Sequence, residues 1–285
     1  MAPFPRALLL VAAASVFTRL ILLPITSSLS LSSRYELSSP MTSSSRLTEG
    51  VHLMSHHLDP YAPDLVHFPP WFLLLSRAVL SVTLPSAPQI GLLILYAFAD
   101  AAIVVSIGFI HNSLRATPLP LLTAIKICFN PLAVLACLAL SSATLYHALL
   151  FGSVAFAAAA RVPMMPSLLL LAAASSMDFR AAAILPVLIA TRSRVTASHA
   201  NASSRGQVCR GLIYFSGYIM CYCVILTVDV LILSSIAPDS ANVSFFARVQ
   251  GGALTIWHAV HMFDLQVTQL SRDTSHVIRH TLRCR

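Results

Sequence analysis

Four polar residues inside long apolar stretches are the first candidates for chemistry in this sequence. Asp100, Asp178 and Arg180 are ionisable, and Asn130 stands directly before Pro131. A charged group inside a bilayer is costly and usually faces the interior of a helix bundle or a polar cavity. A helix broken by proline frees backbone carbonyls that can bind a polar group. These four residues are therefore candidate contacts for a lipid or another substrate. The structural alternatives are pairing between helices for the charged residues and a simple kink at Asn130-Pro131.

The composition indicates a membrane protein. Of 285 residues, 57% are hydrophobic and only 10% are charged, whereas about 25% is usual for a soluble domain. The net charge of +8 comes from bases that are scattered, several of them inside apolar runs, which argues against a nucleic-acid-binding surface. Six scattered cysteines, four of them in apolar stretches, exclude a disulfide-stapled secreted fold. We expect no cofactor.

Seven apolar segments predict an all-α fold, a polytopic transmembrane helix bundle. They are 7–25, 71–84, 89–111, 119–140, 142–160, 165–190 and 212–236. A cleaved signal peptide is the alternative for the first segment, but the run continues past the plausible cleavage point, which favours an uncleaved anchor. The second segment is too short for a full span, which needs roughly 17 to 25 residues, so we expect it to be re-entrant or half-buried.

Loop composition predicts the orientation of the bundle. The loop 26–69 is rich in serine and has more acids than bases, whereas 191–210 carries four arginines and no acid. The first is therefore expected in the lumen and the second in the cytosol. Residues 1–240, including this lumenal loop, form the predicted membrane domain. Residues 241–285 form an atypical polar and basic segment.

A short amphipathic helix is predicted over 42–57, inside the lumenal loop. Leu47, Val51 and Met54 recur four and three residues apart, so they share one face. We expect this face to contact the membrane surface or a partner subunit. His52 and His56 have the spacing of paired metal ligands on a helix, but no third ligand is evident, so no metal site is predicted.

Two ordered segments resemble a known family. The letters SPMTSSSRLTEG at 39–50, DPY at 59–61 and HFPP at 67–70 resemble the first lumenal loop of the class U subunit of the GPI transamidase, the PIG-U family, which reads S-P-x-T-S-x-x-R-x-x-E-G, S-P-Y-x-G and H-x-x-P. FNPLAVLAC at 129–137 is similar to the family segment N-P-x-x-I-L-S-C. Pro63 stands where the family has glycine. The resemblance covers residues 1 to about 240, and it implies that the C-terminal third of the family pattern is missing here.

The resemblance implies a non-catalytic, multi-pass subunit in the endoplasmic reticulum membrane, with a fold like the membrane part of lipid-linked (GT-C type) mannosyltransferases. Such a subunit would help recognise the GPI lipid or the C-terminal attachment signal of a precursor protein. Its partners would be other transamidase subunits, including a caspase-like catalytic one, with no nucleic acid. Within the lumenal loop, Tyr61 and His67 join the candidate subunit contacts.

Two other functions fit parts of the pattern. A GPI-pathway mannosyltransferase using dolichol-phosphate-mannose would need a lumenal carboxylate as a base. Glu36 is the only acid soon after the first segment, and it is not doubled. A transporter would explain the intramembrane acids and the broken helix, but no internal repeat supports it. No P-loop, G-x-S-x-G or C-x-x-C pattern indicates catalysis.

Overall fold

The structure is a computed structural model that describes residues 6–26, 42–61, 66–83, 89–115, 119–159, 162–197 and 204–236. Regular structure in these ranges is helical, which confirms the all-α prediction. The α-helices are α1 (Arg6–Thr26), α2 (Ser44–Ser55), α3 (Pro70–Val82), α4 (Gln89–Arg115), α5 (Leu121–Cys128), α6 (Pro131–Leu138), α7 (Ala143–Ala158), α8 (Met165–Met177), α9 (Leu185–Ala197) and α10 (Ser204–Ile236). The predicted segment 241–285 lies outside the described residues.

Three helical stretches in the described ranges are long and apolar enough to cross a membrane. They are Gln89–Leu114, Leu121–Leu138 and Arg210–Ile236. Helix α1 has 21 residues, which at 1.5 Å per residue is about 31 Å, close to the thickness of about 30 Å of a hydrocarbon core. Helices α3, α7 and α8 are apolar but shorter. This pattern fits a polytopic membrane bundle.

The stretch Leu121–Leu138 is interrupted near its middle, as the sequence predicts. Helix α5 ends at Cys128 and α6 begins at Pro131, a position where proline is tolerated because the first N–H of a helix has no intrahelical partner. The Asn130 side-chain oxygen accepts a hydrogen bond from the Leu132 N–H at 3.1 Å. Asparagine thus caps the second half of the span and fixes the break.

The prediction of one continuous span over 165–190 is wrong, because the chain leaves the α-helix inside it. Helix α8 ends at Met177, and Asp178 has an extended backbone with φ −147° and ψ 113°. The 3-10 helix Phe179–Ile184 follows, and the Asp178 side chain caps it by accepting the Arg180 N–H at 3.0 Å. A side-chain acceptor that competes with the helix ladder in this way ends α8 without proline or glycine.

Arg192 shows that α9 runs back towards the start of α8. Its guanidinium donates to the carbonyls of Ala159 at 2.5 Å and Val162 at 2.8 Å, just beyond the end of α7 and just before α8 begins. A cation at the last carbonyls of a helix is favourable. Helix α9 therefore runs antiparallel to α8, and it packs mainly against α7. The predicted cytosolic loop 191–210 is largely helical, since α9 and α10 extend into it from both sides.

Helix α10 then runs along α8 and completes the main core. The Tyr218 hydroxyl donates to Ser175 Oγ at 3.0 Å, and a Cβ built on Gly217 would lie 3.0 Å from the Leu168 side chain. The buried apolar residues of this core come from α7 to α10 and include Ala157, Leu168, Leu171, Ala172, Leu188 and Cys221.

The predicted amphipathic helix is present as α2, and it packs against α3. Gly50 allows the close approach, because a Cβ at this position would lie 3.0 Å from Leu73 Cδ2 and 3.0 Å from Val66 Cγ1. Helix α3 is short, as expected, and starts with Pro70 at its first position. The two helices thus form one unit, from which the chain continues into α4.

Replacing Gly50 by Val should loosen α2 from α3, because overpacking a tight contact costs typically 1 to 3 kcal/mol. Thermal unfolding of the purified chain in detergent measures the loss. The matched control is Gly211→Val in α10, where the nearest atom to a built Cβ, Ile189 Cγ2, is 3.9 Å away. Equal losses at both positions would mean that helix propensity, and not the contact between α2 and α3, sets the effect.

Candidate functional site

A buried ion pair joins α1 to α4. Arg19 Nη2 donates to Asp100 Oδ2, and the two residues are 0% and 6% exposed. Arg19 Nη1 donates to the Ser15 carbonyl at 3.0 Å and to the Ser15 hydroxyl, one turn earlier in α1. A buried charge is tolerated only when it is paired and hydrogen-bonded. Each helix therefore needs the other in this register.

The same arginine also binds the broken helix. Arg19 Nη2 donates to the carbonyl of Cys128, the last residue of α5, at 3.0 Å. In a continuous helix this carbonyl would accept the Leu132 N–H, but that N–H bonds to the Asn130 side chain instead. The break thus frees one carbonyl, and the guanidinium uses it. We call Arg19, Asp100 and the Cys128 carbonyl the arginine centre.

Two of the predicted substrate contacts, Asp100 and Asn130, have hydrogen-bond partners within the chain at or beside the arginine centre. Asp100 is directed at Arg19 and not at the outside of the bundle. Asn130 is exposed, but its side-chain oxygen is used as a helix cap. A role for either residue in lipid binding stays a prediction. In this arrangement Asp100 would act only through Arg19, whereas Asn130 is exposed at the surface of the bundle.

A second buried carboxylate links three helices. Asp229 of α10 is 2% exposed, and its Oδ1 accepts the backbone N–H of Trp71 at 2.9 Å. Trp71 is the second residue of α3, so the carboxylate caps this helix where a negative charge is favourable. The Trp71 indole Nε1 donates to Ser176 Oγ in α8 at 2.9 Å. We call Trp71, Ser176 and Asp229 the tryptophan junction.

Asp178 and Arg180 lie close to the tryptophan junction in the chain, where α8 ends. Arg180 Nε is 3.9 Å from Asp178 Oδ1, and the Arg180 side chain is 79% exposed. Tyr146 of α7 lies within electrostatic range of both residues. An exposed pair of this length is worth at most about 1 kcal/mol. The guanidinium can therefore exchange its partner for an anionic group of another molecule at little cost.

The residues predicted to contact other subunits are mostly buried within the chain itself. Leu47, Val51 and Met54 are 0%, 8% and 1% exposed. The hydroxyl of Tyr61 donates to a backbone carbonyl seven residues later at 2.7 Å, and His67 is half-buried. Their role in docking stays a prediction. For the three α2 residues it would require these intrachain contacts to open, because a buried side chain offers no area to a partner.

His52 of α2 and His56, the residue that follows this helix, lie against each other, as their spacing suggests. The ring centroids of His52 and His56 are 4.3 Å apart, and His56 Nδ1 lies 2.9 Å from the His52 carbonyl. In the described part of the chain, no group of three or more His, Cys, Asp or Glu residues is placed to hold a metal ion.

Comparison with protein families identifies the kind of protein that carries these features. A family model described as "GPI transamidase subunit PIG-U" matches residues 13–259, which is most of the 285-residue chain. The chain belongs to the PIG-U family. As a PIG-U family member it is a membrane-bound subunit of the GPI transamidase, and it acts in the attachment of GPI anchors to proteins. No curated protein matches the chain with significant similarity.

In this PIG-U family member, the second family-like segment surrounds the arginine centre. Residues 129–137 run from the helix break to Cys137, one residue before α6 ends. The Cys137 thiol at their end is buried and interacts electrostatically with Arg19 and Asp100. The first family-like segment, 39–50, leads into α2, and its residues before Thr42 lie outside the described ranges. The segment around Asn130 thus has a definite structural role.

The sequence pattern did not predict that Arg19, Trp71 and Asp229 take part in polar centres. A usable signal existed for Arg19, because opposite charges in two different apolar segments tend to pair inside a bundle. Asp229 is likewise an acid inside an apolar segment. Trp71 gave no signal, since its contribution to the junction includes a backbone N–H that any residue except proline could supply.

Replacing Arg19 by Leu should destabilise the chain by about 3 to 5 kcal/mol, because Asp100 is then buried without a partner. The double change Arg19→Leu with Asp100→Leu should cost less than Arg19→Leu alone, since no unpaired charge remains. Thermal unfolding in detergent of the parent, Arg19→Leu, Asp100→Leu and the double variant gives the coupling. Additive losses would show that the two side chains do not interact.

Replacing Asp229 by Leu should remove the cap of α3, at a cost of about 1 kcal/mol, and should shift the fluorescence of Trp71. The background is Trp257→Phe, because Trp71 and Trp257 are the two tryptophans of the chain. Asp229→Asn keeps an acceptor oxygen and is the control that should retain the emission of the parent. A Trp71 emission that is the same in all three proteins would contradict the junction.

Proposed function

We propose that the chain is a non-catalytic subunit of the GPI transamidase in the endoplasmic reticulum membrane. It helps to hold the GPI lipid or the C-terminal attachment signal of a precursor protein, while a separate caspase-like subunit performs the transamidation. Membership of the PIG-U family supports the complex and the reaction. The helix bundle supplies what both substrates need, which is a binding surface within the bilayer for acyl chains or for a hydrophobic tail of about 10 to 20 residues.

The use of two intramembrane acids, Asp100 and Asp229, supports a non-catalytic role. Asp100 is paired with Arg19, and Asp229 is bonded to the N-terminus of α3. A general base must come within hydrogen-bond reach of the proton that it removes. Both carboxylates are almost fully buried, at 6% and 2% exposure, and each already has a partner inside the chain. They stabilise the fold and do not reach a substrate in this arrangement.

The observation that carries a role in substrate holding is the exposed Arg180. Its side chain is 79% exposed beside Asp178, and a planar guanidinium binds phosphate with two parallel hydrogen bonds. GPI lipids carry phosphate groups in their headgroup. The end of α8 is also joined to α3 and α10 through the tryptophan junction, so the arginine is presented from a rigid support. We assign the GPI headgroup phosphate to Arg180.

Replacing Arg180 by Gln should lower GPI anchoring several-fold while complex assembly stays normal, and Arg180→Lys should retain part of the activity. Cells lacking the endogenous subunit are complemented with each variant. Surface display of a GPI-anchored reporter gives the activity, and co-purification of the catalytic subunit gives the assembly. The matched control is Arg77→Gln in α3, which removes another exposed arginine and should leave anchoring unchanged.

Two outcomes would overturn the proposal. Normal anchoring by Arg180→Gln would remove the assigned phosphate contact. Mannosyl transfer from dolichol-phosphate-mannose by the purified chain alone would show that it is an enzyme in its own right.

A further inference from the structure

The break between α5 and α6 leaves polar groups on the outer surface of a membrane span. Asn130 is the tenth of the 18 residues in Leu121–Leu138, so it lies near the middle of this stretch. It is exposed, as are its apolar neighbours Phe129 at 39% and Leu132 at 66%. The inner side of the break is bound by Arg19 through the Cys128 carbonyl. The outer side is not covered by the described residues.

The break leaves polar groups without a hydrogen-bond partner in the described part of the chain. Pro131 has no N–H, so the Ile127 carbonyl loses its regular donor and instead accepts the Asn130 N–H at 3.4 Å. That N–H would otherwise bond to the Lys126 carbonyl, which receives no hydrogen bond from the described part of the chain. The Asn130 amide NH2 group likewise has no acceptor there. One carbonyl and one amide group are thus left at this break.

Lipid cannot satisfy such groups. Irregular backbone at membrane depth is tolerated where protein or a water-filled cavity covers it, but not where it faces hydrocarbon. Asparagine side chains in membranes are typically bonded across to another helix. Headgroup phosphates lie about 15 Å from the middle of a hydrocarbon core about 30 Å thick, which is beyond the reach of an asparagine.

We infer that the α5–α6 face, the outward surface formed by Leu122, Phe129, Asn130 and Leu132, binds a transmembrane helix of another transamidase subunit. That helix presents a hydrogen-bond acceptor to the Asn130 amide and apolar side chains to the three exposed hydrophobic residues. The inference depends on the chain being one subunit of a complex, which follows from its family, and not on the proposed non-catalytic role. A permanent partner is favoured over a precursor protein, because a transient substrate would leave the break uncovered between turnovers.

Site-specific photo-crosslinking in native membranes tests the contact. The photoreactive residue p-benzoylphenylalanine replaces Leu132, which is 66% exposed, or Leu10 on α1, which is 70% exposed and lies on a regular helix. We expect an adduct with another transamidase subunit from position 132, several-fold more abundant than from position 10. Adducts only with lipid, only with the precursor protein, or within the chain itself would overturn the inference, provided that the complex is intact.

A second variant separates docking from folding. Asn130→Ser keeps a side-chain oxygen that can cap α6 but removes the amide donors. It should lower co-purification of the partner subunit several-fold in stringent detergent, while thermal unfolding of the isolated chain changes little. Undiminished co-purification would contradict the role of Asn130. Because neither readout measures anchoring, this result is independent of the outcome at Arg180.

Discussion

The ion pair of Arg19 with Asp100 is the interaction on which the arrangement of the first half of the bundle depends. Either charge alone inside an apolar bundle would cost several kcal/mol, so α1 and α4 cannot separate or slide without a large penalty. Their register is also set eleven residues earlier in α1. A Cβ on Gly108 would lie 2.3 Å from Leu8 Cδ2, so a larger residue at this position would force the Leu8 side chain to move. A polar contact and a steric one thus fix the same pair of helices.

The arginine also explains how the bundle tolerates a broken span. A helix interrupted near the middle of a membrane loses backbone hydrogen bonds that lipid cannot replace. Arg19 supplies a donor for the Cys128 carbonyl, and Asn130 supplies an acceptor for the Leu132 N–H. On the inner side of the break, the free Cys128 carbonyl is therefore hydrogen-bonded by Arg19, which also pairs with Asp100. At the other polar centre, Asp229 satisfies the start of α3 in the same manner.

How much of this could be predicted from the sequence depends on whether the signal is local. The spans α4 and α10, the amphipathic α2 and the break at Asn130-Pro131 follow from periodicity, length and proline chemistry. The reversal after α8 does not, because Asp178 ends the helix through a side-chain cap inside an otherwise apolar run. Hydropathy cannot distinguish one long span from two shorter helices in such a run.

Tertiary pairing is the other part that could not be predicted. The charge of Asp100 was visible, but its partner is 81 residues away, and nothing in the local pattern selects Arg19 over another cation. The apolar face of α2 was also visible, but an amphipathic pattern does not state what covers it. Here Leu73 of α3 and Val66, which precedes α3 in the sequence, lie against Gly50. The sequence thus predicts individual candidate residues, but it does not predict which other residues they contact.

Polar groups in this bundle differ in the direction that they face, and the direction decides whether a group is bonded within the chain or is open to another molecule. Groups that point inwards, such as Arg19, Asp100 and Asp229, are buried and already bonded within the chain. Two polar groups at helix interruptions point outwards, Asn130 between α5 and α6 and Arg180 after α8. An interruption costs backbone hydrogen bonds, and a protein retains one at membrane depth where something else compensates. On the roles proposed for Asn130 and Arg180, the outward side of each interruption is where another molecule, a protein helix or a lipid headgroup, supplies the missing hydrogen bonds.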